Sequence, residues 1–298
     1  MVLKIIKYKL GNQFRRITID RYPYLFRPSS KPFLSGDSLR LFSNHVFDES
    51  KSFNPRKVKN GDVIFLNTGF KDIFFKYYHP MINESYKLIT HNSDLPVETD
   101  DLKYLDEKII HWFSTKLNTP ATNKISCLPY GIENKRFMKN GKVKNFKKVL
   151  NETEKNKKER KVFCSFNPST NPNHRERVRE YAMKRKDIFV VKNFTDNYEY
   201  LRELSKYKFN LCPEGNFFES HRIWESLIFG CTPIVEKNSV NENFFNIGIP
   251  LVILDSFNEL TTISYEELEE RNKVNKGKNY LAFSSLDYWI NTINSKKI

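Results

Sequence analysis

Lys208–Val235 reads KFNLCPEGNFFESHRIWESLIFGCTPIV. Its start, KFNLC (Lys208–Cys212), is a short apolar run with the length and composition of a buried strand. A polar loop, Pro213–Ser220, follows. Ile223, Trp224, Leu227 and Ile228 then fall on one face of a helix predicted over His221–Phe229. Gly230 supplies the stop, and TPIVE (Thr232–Glu236) reads as the next strand. Strand, loop, helix and strand in this order make one unit of a parallel α/β sheet. Ligands of such open sheets bind beyond the carboxyl ends of strands, so chemistry is expected in the loop and at the start of the helix.

Ser220 is an N-cap residue by type and place. A helix N-terminus offers unpaired N–H donors and a partial positive charge, which suits phosphate. Arg222 in the first turn adds a planar cationic donor. Glu225, three residues on, lies on the same face one turn deeper, where its carboxylate can accept hydrogen bonds from ribose hydroxyls. With Glu214, Gly215 and Asn216 in the loop and His221 at the helix start, the expected ligand is a sugar nucleotide. The plainer alternative is an Arg–Glu ion pair on an amphipathic helix.

The same alternation extends on both sides. KVFCSF (Lys161–Phe166), IFVVKN (Ile188–Asn193) and PLVILD (Pro250–Asp255) read as strands; Arg175–Lys186 and Asn197–Tyr207 read as helices. Upstream, GDVIFLN (Gly61–Asn67), YKLIT (Tyr86–Thr90), KIIHWF (Lys108–Phe113) and KISCLP (Lys124–Pro129) are apolar runs of the kind buried on both faces of a parallel sheet. Phe70–Tyr78 is a candidate crossover helix. Tyr280–Ile293 places Tyr280, Leu281, Phe283, Leu286, Trp289, Ile290 and Ile293 on one helical face. The fold class expected is α/β, with two domains: residues 1–140 on the acceptor side, 161–278 binding the nucleotide sugar, a basic linker at 141–160, and a terminal helix over 279–298 docking back.

SHRIWESLIFGCTPIV resembles the nucleotide-binding motif of exostosin-like glycosyltransferases, roughly CPxG followed by SxRxxEAxxxGCxPV. YKLITHNSD (Tyr86–Asp94) and HWFSTKLNTPATNKISCLPYGIEN (His111–Asn134) are similar to the N-terminal half of exostosin-related transferases of algae and large DNA viruses. These motifs cover about a third of the positions. The resemblance implies a GT-B architecture, two Rossmann-like domains facing a cleft, and metal-independent inverting transfer from a nucleoside-diphosphate sugar, UDP by family analogy. It puts Arg222 at the diphosphate and Glu225 at the ribose. Two positions depart from the pattern: Glu214 stands where many members carry Arg, and Ser226 replaces Ala, read as a small packing change. The retaining GT-B pattern of two Glu eight apart is absent, since Phe217 stands eight before Glu225.

Inverting transfer needs a group to take the acceptor's proton. THNSD places His91 and Asp94 at the end of the YKLIT strand, so Asp94 is the expected base, with His91 as its alternative or its orienting partner. The competing reading is an Asx-type turn at Asn92 and Asp94. Asn167, Thr170 and Arg175, between strand and helix, are further donor contacts, and TDNYEYL (Thr195–Leu201) is placed near the base. No DxD triplet or HExxH grouping occurs, so no metal and no cofactor beyond the nucleotide-sugar co-substrate is expected.

The whole chain has 298 residues, net charge +15, mean hydropathy −0.61 and 39% hydrophobic residues. That is a globular composition, neither collagen-like nor disordered. No apolar run approaches the roughly 20 residues of a membrane span. The start, MVLKIIKYKLGNQ, is broken by Lys4, Lys7 and Lys9, unlike a signal peptide. Four scattered cysteines without a CxxC pair read as reduced and buried, so a cytoplasmic protein is expected, in host cytoplasm if viral. Of the charge, +7 lies in Lys139–Lys161, where ten Lys/Arg meet three Asp/Glu. This is the pattern of a solvated linker or exposed helix. The partners expected are the sugar donor and a glycan or glycoprotein acceptor, with no nucleic acid. The alternatives are a non-catalytic nucleotide- or carbohydrate-binding protein of the same fold, and a basic nucleic-acid binder resting on the Lys139–Lys161 run alone.

Overall fold

The computed structural model describes residues 27–50, 53–153, 156–191, 194 and 196–297. The Lys-broken start of the chain, Asn193 and Thr195 lie outside the described residues.

The first half opens with helix α1 (Gly36–Phe42) and carries strands β1 (His45–Phe47), β2 (Val63–Asn67), β3 (Tyr86–His91), β4 (Val97–Glu98), β5 (Ile109–Ser114), β6 (Leu117–Asn118) and β7 (Ile125–Cys127). Strands β1-β2-β3-β5-β7 form one parallel sheet in chain order, and β4 pairs with β6. All six residues of β3 are buried, which is why its sequence is an unbroken apolar run: a parallel strand is covered on both faces. The crossover expected over Phe70–Tyr78 is one α turn, Lys71–Ile73, opening into a π turn, Phe74–Tyr78.

The second half comprises α2 (Val143–Thr153), β8 (Glu159–Cys164), α3 (Pro172–Met183), β9 (Ile188–Val190), α4 (Asn197–Leu204), β10 (Tyr207–Leu211), α5 (His221–Ile228), β11 (Thr232–Glu236), α6 (Ser239–Asn246), β12 (Val252–Leu254), α7 (Tyr265–Arg271), α8 (Tyr280–Phe283) and α9 (Leu286–Ser295). Its parallel sheet has the order β12-β11-β10-β8-β9. The chain leaves β8 for the edge strand β9, then crosses back to β10. The winding therefore reverses between β8 and β10, and a crevice opens at their carboxyl ends. The two parallel α/β halves face one cleft, which is the GT-B arrangement.

Among the described residues of 141–160, Val143–Thr153 form helix α2 with Lys144, Lys147 and Lys148 exposed. The stretch is nearer the exposed helix than the solvated linker, yet its other face is covered. Helix α2 buries Phe146 and Val149 completely, with the Phe146 ring 5.4 Å from Phe33 and 6.0 Å from Phe229. Lys158 is drawn in as well, its Nζ donating to the carbonyls of Ser205 and Phe229. Lysines crowd the outer face and hide a one-sided apolar stripe at 143, 146, 149 and 150. The terminal helix is two helices, α8 and α9. Ser284 interrupts it because its Oγ donates to the Trp224 carbonyl at 3.0 Å and its own carbonyl accepts from Leu34 N at 2.8 Å.

Leu286, Trp289 and Ile293 of α9, with Trp224, Leu227, Val240 and Phe244, join the apolar cluster of the first sheet. One core thus joins the two halves, and two further clusters pack on the second sheet, one on each face: Val162 and Cys164 of β8 belong to one and Phe163 to the other. All four cysteines are free and buried.

Candidate active site

Between the halves lies a cleft of about 740 Å³, within the size range of small-molecule sites. Of the residues singled out from the sequence, Asp94, Asn167, Thr170, Arg175, Gly215, Asn216, Ser220, His221, Arg222 and Glu225 line it, whereas His91 and Glu214 do not.

The second-half wall begins at α5. Ser220 has the extended backbone of an N-cap (φ −135°, ψ 153°), yet its hydroxyl makes no capping bond. Its Oγ is buried without a partner among the described residues, and the residue lines the cleft at the helix N-terminus. Arg222 Nε donates to the Ser165 carbonyl at 2.8 Å, which aims the rest of the guanidinium inward. Glu225 is buried and accepts from Tyr200 Oη at 3.0 Å. Burial raises its pKa against the opposing charge of Arg222. The apolar face of α5 is buried as its spacing predicts, and Gly230 ends the helix in the left-handed region, φ 63°. Ser226 does more than fill space: its Oγ accepts from Asn210 Nδ2 at 2.8 Å and donates to the Arg222 carbonyl, tying α5 to β10.

Arg175 is a staple between loops. Nε, Nη1 and Nη2 donate to the carbonyls of Glu214, Asn167 and Pro213. Burial, with Arg222 nearby, lowers its pKa to about 10. A Cβ at Gly215 would stand 3.2 Å from Arg175 Nη2, so a side chain there would press the stapled guanidinium back by a few tenths of an ångström. Asn167 uses its Oδ1 to close a turn onto Ser169 N. The Glu214 carboxylate turns away from the cleft toward Asn171; the loop has to present its carbonyls to Arg175, which sends that side chain outward. At the far end Phe194, Asp196, Asn197 and Tyr200 line the cleft, and the buried Asn197 Nδ2 has no partner among the described residues.

On the first-half wall, Asp94 pairs with Lys116 Nζ at 2.6 Å and accepts from Asn216 Nδ2 across the cleft at 3.3 Å. Partial burial pushes its pKa up, but the Lys116 bond and charge outweigh that, so it lies below the usual carboxylate value. Lys116 reaches Asp94 from a left-handed backbone, φ 52°. Its ammonium sits 4.8 Å from the Tyr130 ring centroid. His91 is a different case from the one its sequence suggests. It is buried and stacked on Tyr130; Nδ1 accepts from Asn92 N at 2.7 Å and Nε2 faces the Pro129 carbonyl at 3.2 Å. With both nitrogens engaged and burial lowering its pKa to about 3, it is a neutral packing residue, not a base. It ends a strand whose every residue is buried, so it points into the core.

Residues 216–221 also close on the segment 129–132. Glu219 Oε1 accepts from Tyr130 N at 2.5 Å and from Trp224 Nε1 at 2.6 Å. His221 Nδ1 lies 2.6 Å from the Gly131 carbonyl, its ring stacked on Tyr130. Nδ1 is therefore the protonated nitrogen and Nε2 carries the lone pair. Burial, with Arg222 and Lys116 near, lowers the His221 pKa.

Lys116, Tyr130 and Glu219 line the cleft without having been named as site residues from the sequence, whereas Tyr200 lies within Thr195–Leu201, the stretch placed near the base. Lys116 could have been found, since it follows the carboxyl end of β5. Tyr130 lies within the family-like stretch His111–Asn134, but nothing in its spacing marks it as a site residue. Among the described residues no three His, Cys, Asp or Glu side chains form a metal-ligand group, and no helix is long and apolar enough to cross a membrane.

No protein-family model matches the chain. Over 97 residues, 33% of its length, it is 28% identical to a protein of Arabidopsis thaliana described as a probable glycosyltransferase; the match spans 19% of that relative. Among solved structures it is similar to a UDP-forming α,α-trehalose-phosphate synthase of Burkholderia vietnamiensis, with TM-score 0.41 and 8% identity over 87% of this chain and 77% of that one. It is also similar to the spinosyn rhamnosyltransferase SpnG in complex with thymidine diphosphate, with TM-score 0.37 and 8% identity over 76% and 68% of the two chains. At these scores no residue role is carried across.

Proposed function

We propose that the chain is a glycosyltransferase of the exostosin-like kind, on the algal and viral side of that family, moving a sugar from a nucleoside diphosphate, UDP by preference, to a glycan hydroxyl with inversion. The observation that carries the reading is the bare, buried Ser220 Oγ at the N-terminus of α5, beside Arg222 and one turn from Glu225, at the reversal point of the second sheet. A diphosphate suits the helix N-terminus, the hydroxyl and the guanidinium. A ribose suits Glu225, and a base suits the end lined by Phe194 and Asn197. The 97-residue match to a plant protein described as a probable glycosyltransferase supports the same reading.

In this mechanism the C–O bond between the anomeric carbon and the diphosphate breaks, leaving its electron pair on phosphate oxygen, where Arg222 and the helix N-terminus supply positive charge without a metal. The acceptor oxygen bonds the carbon from the opposite face, and Asp94 takes its proton. A cytoplasmic setting belongs to the proposal, consistent with four buried, unpaired cysteines.

The test is a thermal-shift panel of UDP, GDP and CMP and their sugar conjugates. A ligand at a hundred times its Kd adds about 2.7 kcal/mol. The reading expects one nucleotide to stabilise the protein and Arg222→Ala to weaken that by about 1.5–3 kcal/mol. Stabilisation by none of them would refute the reading.

A further inference from the structure

Glu219 is 5% exposed as a residue and lines the cleft between two sets of groups. On one side are Lys116 and Tyr130; on the other are Ser220 and Arg222 in the next turn of chain. Its two oxygens are unlike. Oε1 accepts two N–H bonds, from Tyr130 N and Trp224 Nε1. Oε2 is buried and has no partner. When this carboxyl carries a proton, the proton sits on Oε2, because Oε1 already accepts two N–H bonds and no described protein group meets Oε2. A bare buried polar atom is costly unless something else pairs with it. Ser220, the next residue, likewise has its Oγ buried without a partner among the described residues, and both residues line the cleft.

We propose that Glu219 is a proton-bearing hydrogen-bond donor to the diphosphate of the bound sugar nucleotide, its Oε2–H facing the phosphate oxygen from which the sugar departs. The inference rests on the function proposed above. The proton is shared through a hydrogen bond and stays on Glu219; the acceptor's proton goes to Asp94, so no further reactant is needed. An ionised Glu219 would instead set a carboxylate against a diphosphate. Glu219 is suited to carry a proton: burial pushes its pKa up to about 7, only partly opposed by the Tyr130 and Trp224 bonds and the Lys116 charge. The thiol of Cys127 and the phenol of Tyr130, the other titratable groups that feel it, are both held neutral by burial. Two carboxylates near one lysine thus differ, Asp94 lowered and Glu219 raised, the pattern of a base and an acid sharing a site.

The consequence is proton uptake on donor binding. The probes are UDP-glucose, UDP-N-acetylglucosamine, GDP-mannose and dTDP-glucose, whose diphosphate diesters do not titrate near neutrality. Calorimetry at pH 6 to 8.5, in two buffers of different ionisation heat, counts the protons taken up. Wild type should take up close to one proton at pH 8 to 8.5, and its affinity should fall about tenfold per pH unit there. Glu219→Gln keeps the accepting oxygen and supplies an N–H in place of O–H. It should bind as wild type does at pH 6, with no uptake and a flat affinity profile. Binding without uptake in wild type, or uptake that persists in Glu219→Gln and so belongs to a group such as His221, would overturn the inference while leaving the proposed function standing. Failure of every sugar nucleotide to bind would overturn both.

Discussion

The two walls of the cleft are built on opposite principles. The second-half wall is left open for a ligand: among the described residues Ser220 Oγ and Asn197 Nδ2 are buried without partners, and Arg222, held through Nε to the Ser165 carbonyl, lines the cleft. The first-half wall satisfies itself. Asp94 is held by Lys116, and His91 spends both nitrogens on the neighbouring backbone. A wall with unmet hydrogen bonds is prepared to bind, because the ligand relieves a standing penalty. A wall that is already paired can position and take protons, but gains little by binding. The reversal of strand order belongs to the second sheet alone among the described strands, and the open wall is the one beside it.

Four outcomes would break or sharpen this contrast. The largest effect is expected from Asp94→Asn. If the paired wall does the proton chemistry, turnover falls roughly 10²–10⁴-fold while sugar-nucleotide binding by calorimetry is unchanged; undiminished turnover removes Asp94 from the mechanism. Next is Phe146→Ala, which removes the buried ring of α2. A loss of about 3–5 kcal/mol in urea unfolding is expected, whereas a solvated linker would lose almost nothing.

His91 gives a smaller, pH-dependent effect. Its folded pKa, about 3, lies below the unfolded value near 6.5, so the unfolded chain binds the proton first. The stabilisation is complete above about pH 6.5 and falls as the pH drops toward 3. Between pH 7 and 5 the loss is about 2 kcal/mol, and His91→Gln should flatten the stability–pH slope by that amount. A catalytic His91 would instead change the pH profile of turnover and leave the stability slope alone. The smallest effect is expected from Tyr200→Phe. It deletes the hydroxyl that steadies Glu225 and should weaken donor binding by about 1 kcal/mol, measured by calorimetry, with turnover of bound substrate retained.

The second-half wall was legible because its groups are neighbours in the chain. Ser220, Arg222 and Glu225 sit on one turn and a half of one helix, and helical geometry fixes their relation whatever surrounds them. The first-half wall was half legible. The end of an apolar strand located Asp94, but the same strand end suggested His91, and only packing against Phe65 and Tyr130 decides that this ring turns inward. The lysine run at Lys139–Lys161 was legible as an exposed helix but not as one with a covered face, for a related reason. Charge density is visible residue by residue, whereas the face on which Phe146 and Val149 lie matters only once something covers it.

The sequence by itself determined the strand–loop–helix unit around Arg222, the parallel α/β class and the buried state of the cysteines, because these follow from local periodicity and the hydropathy of contiguous segments. Only the tertiary structure decided which carboxylates share a site. Asp94, Lys116 and Asn216 meet across a hundred residues of chain, and Glu219 acquires its bare oxygen because Tyr130 N and Trp224 Nε1 both converge on the other one. Protonation and pairing depend on distance and burial, which strand order and packing set and chain order does not.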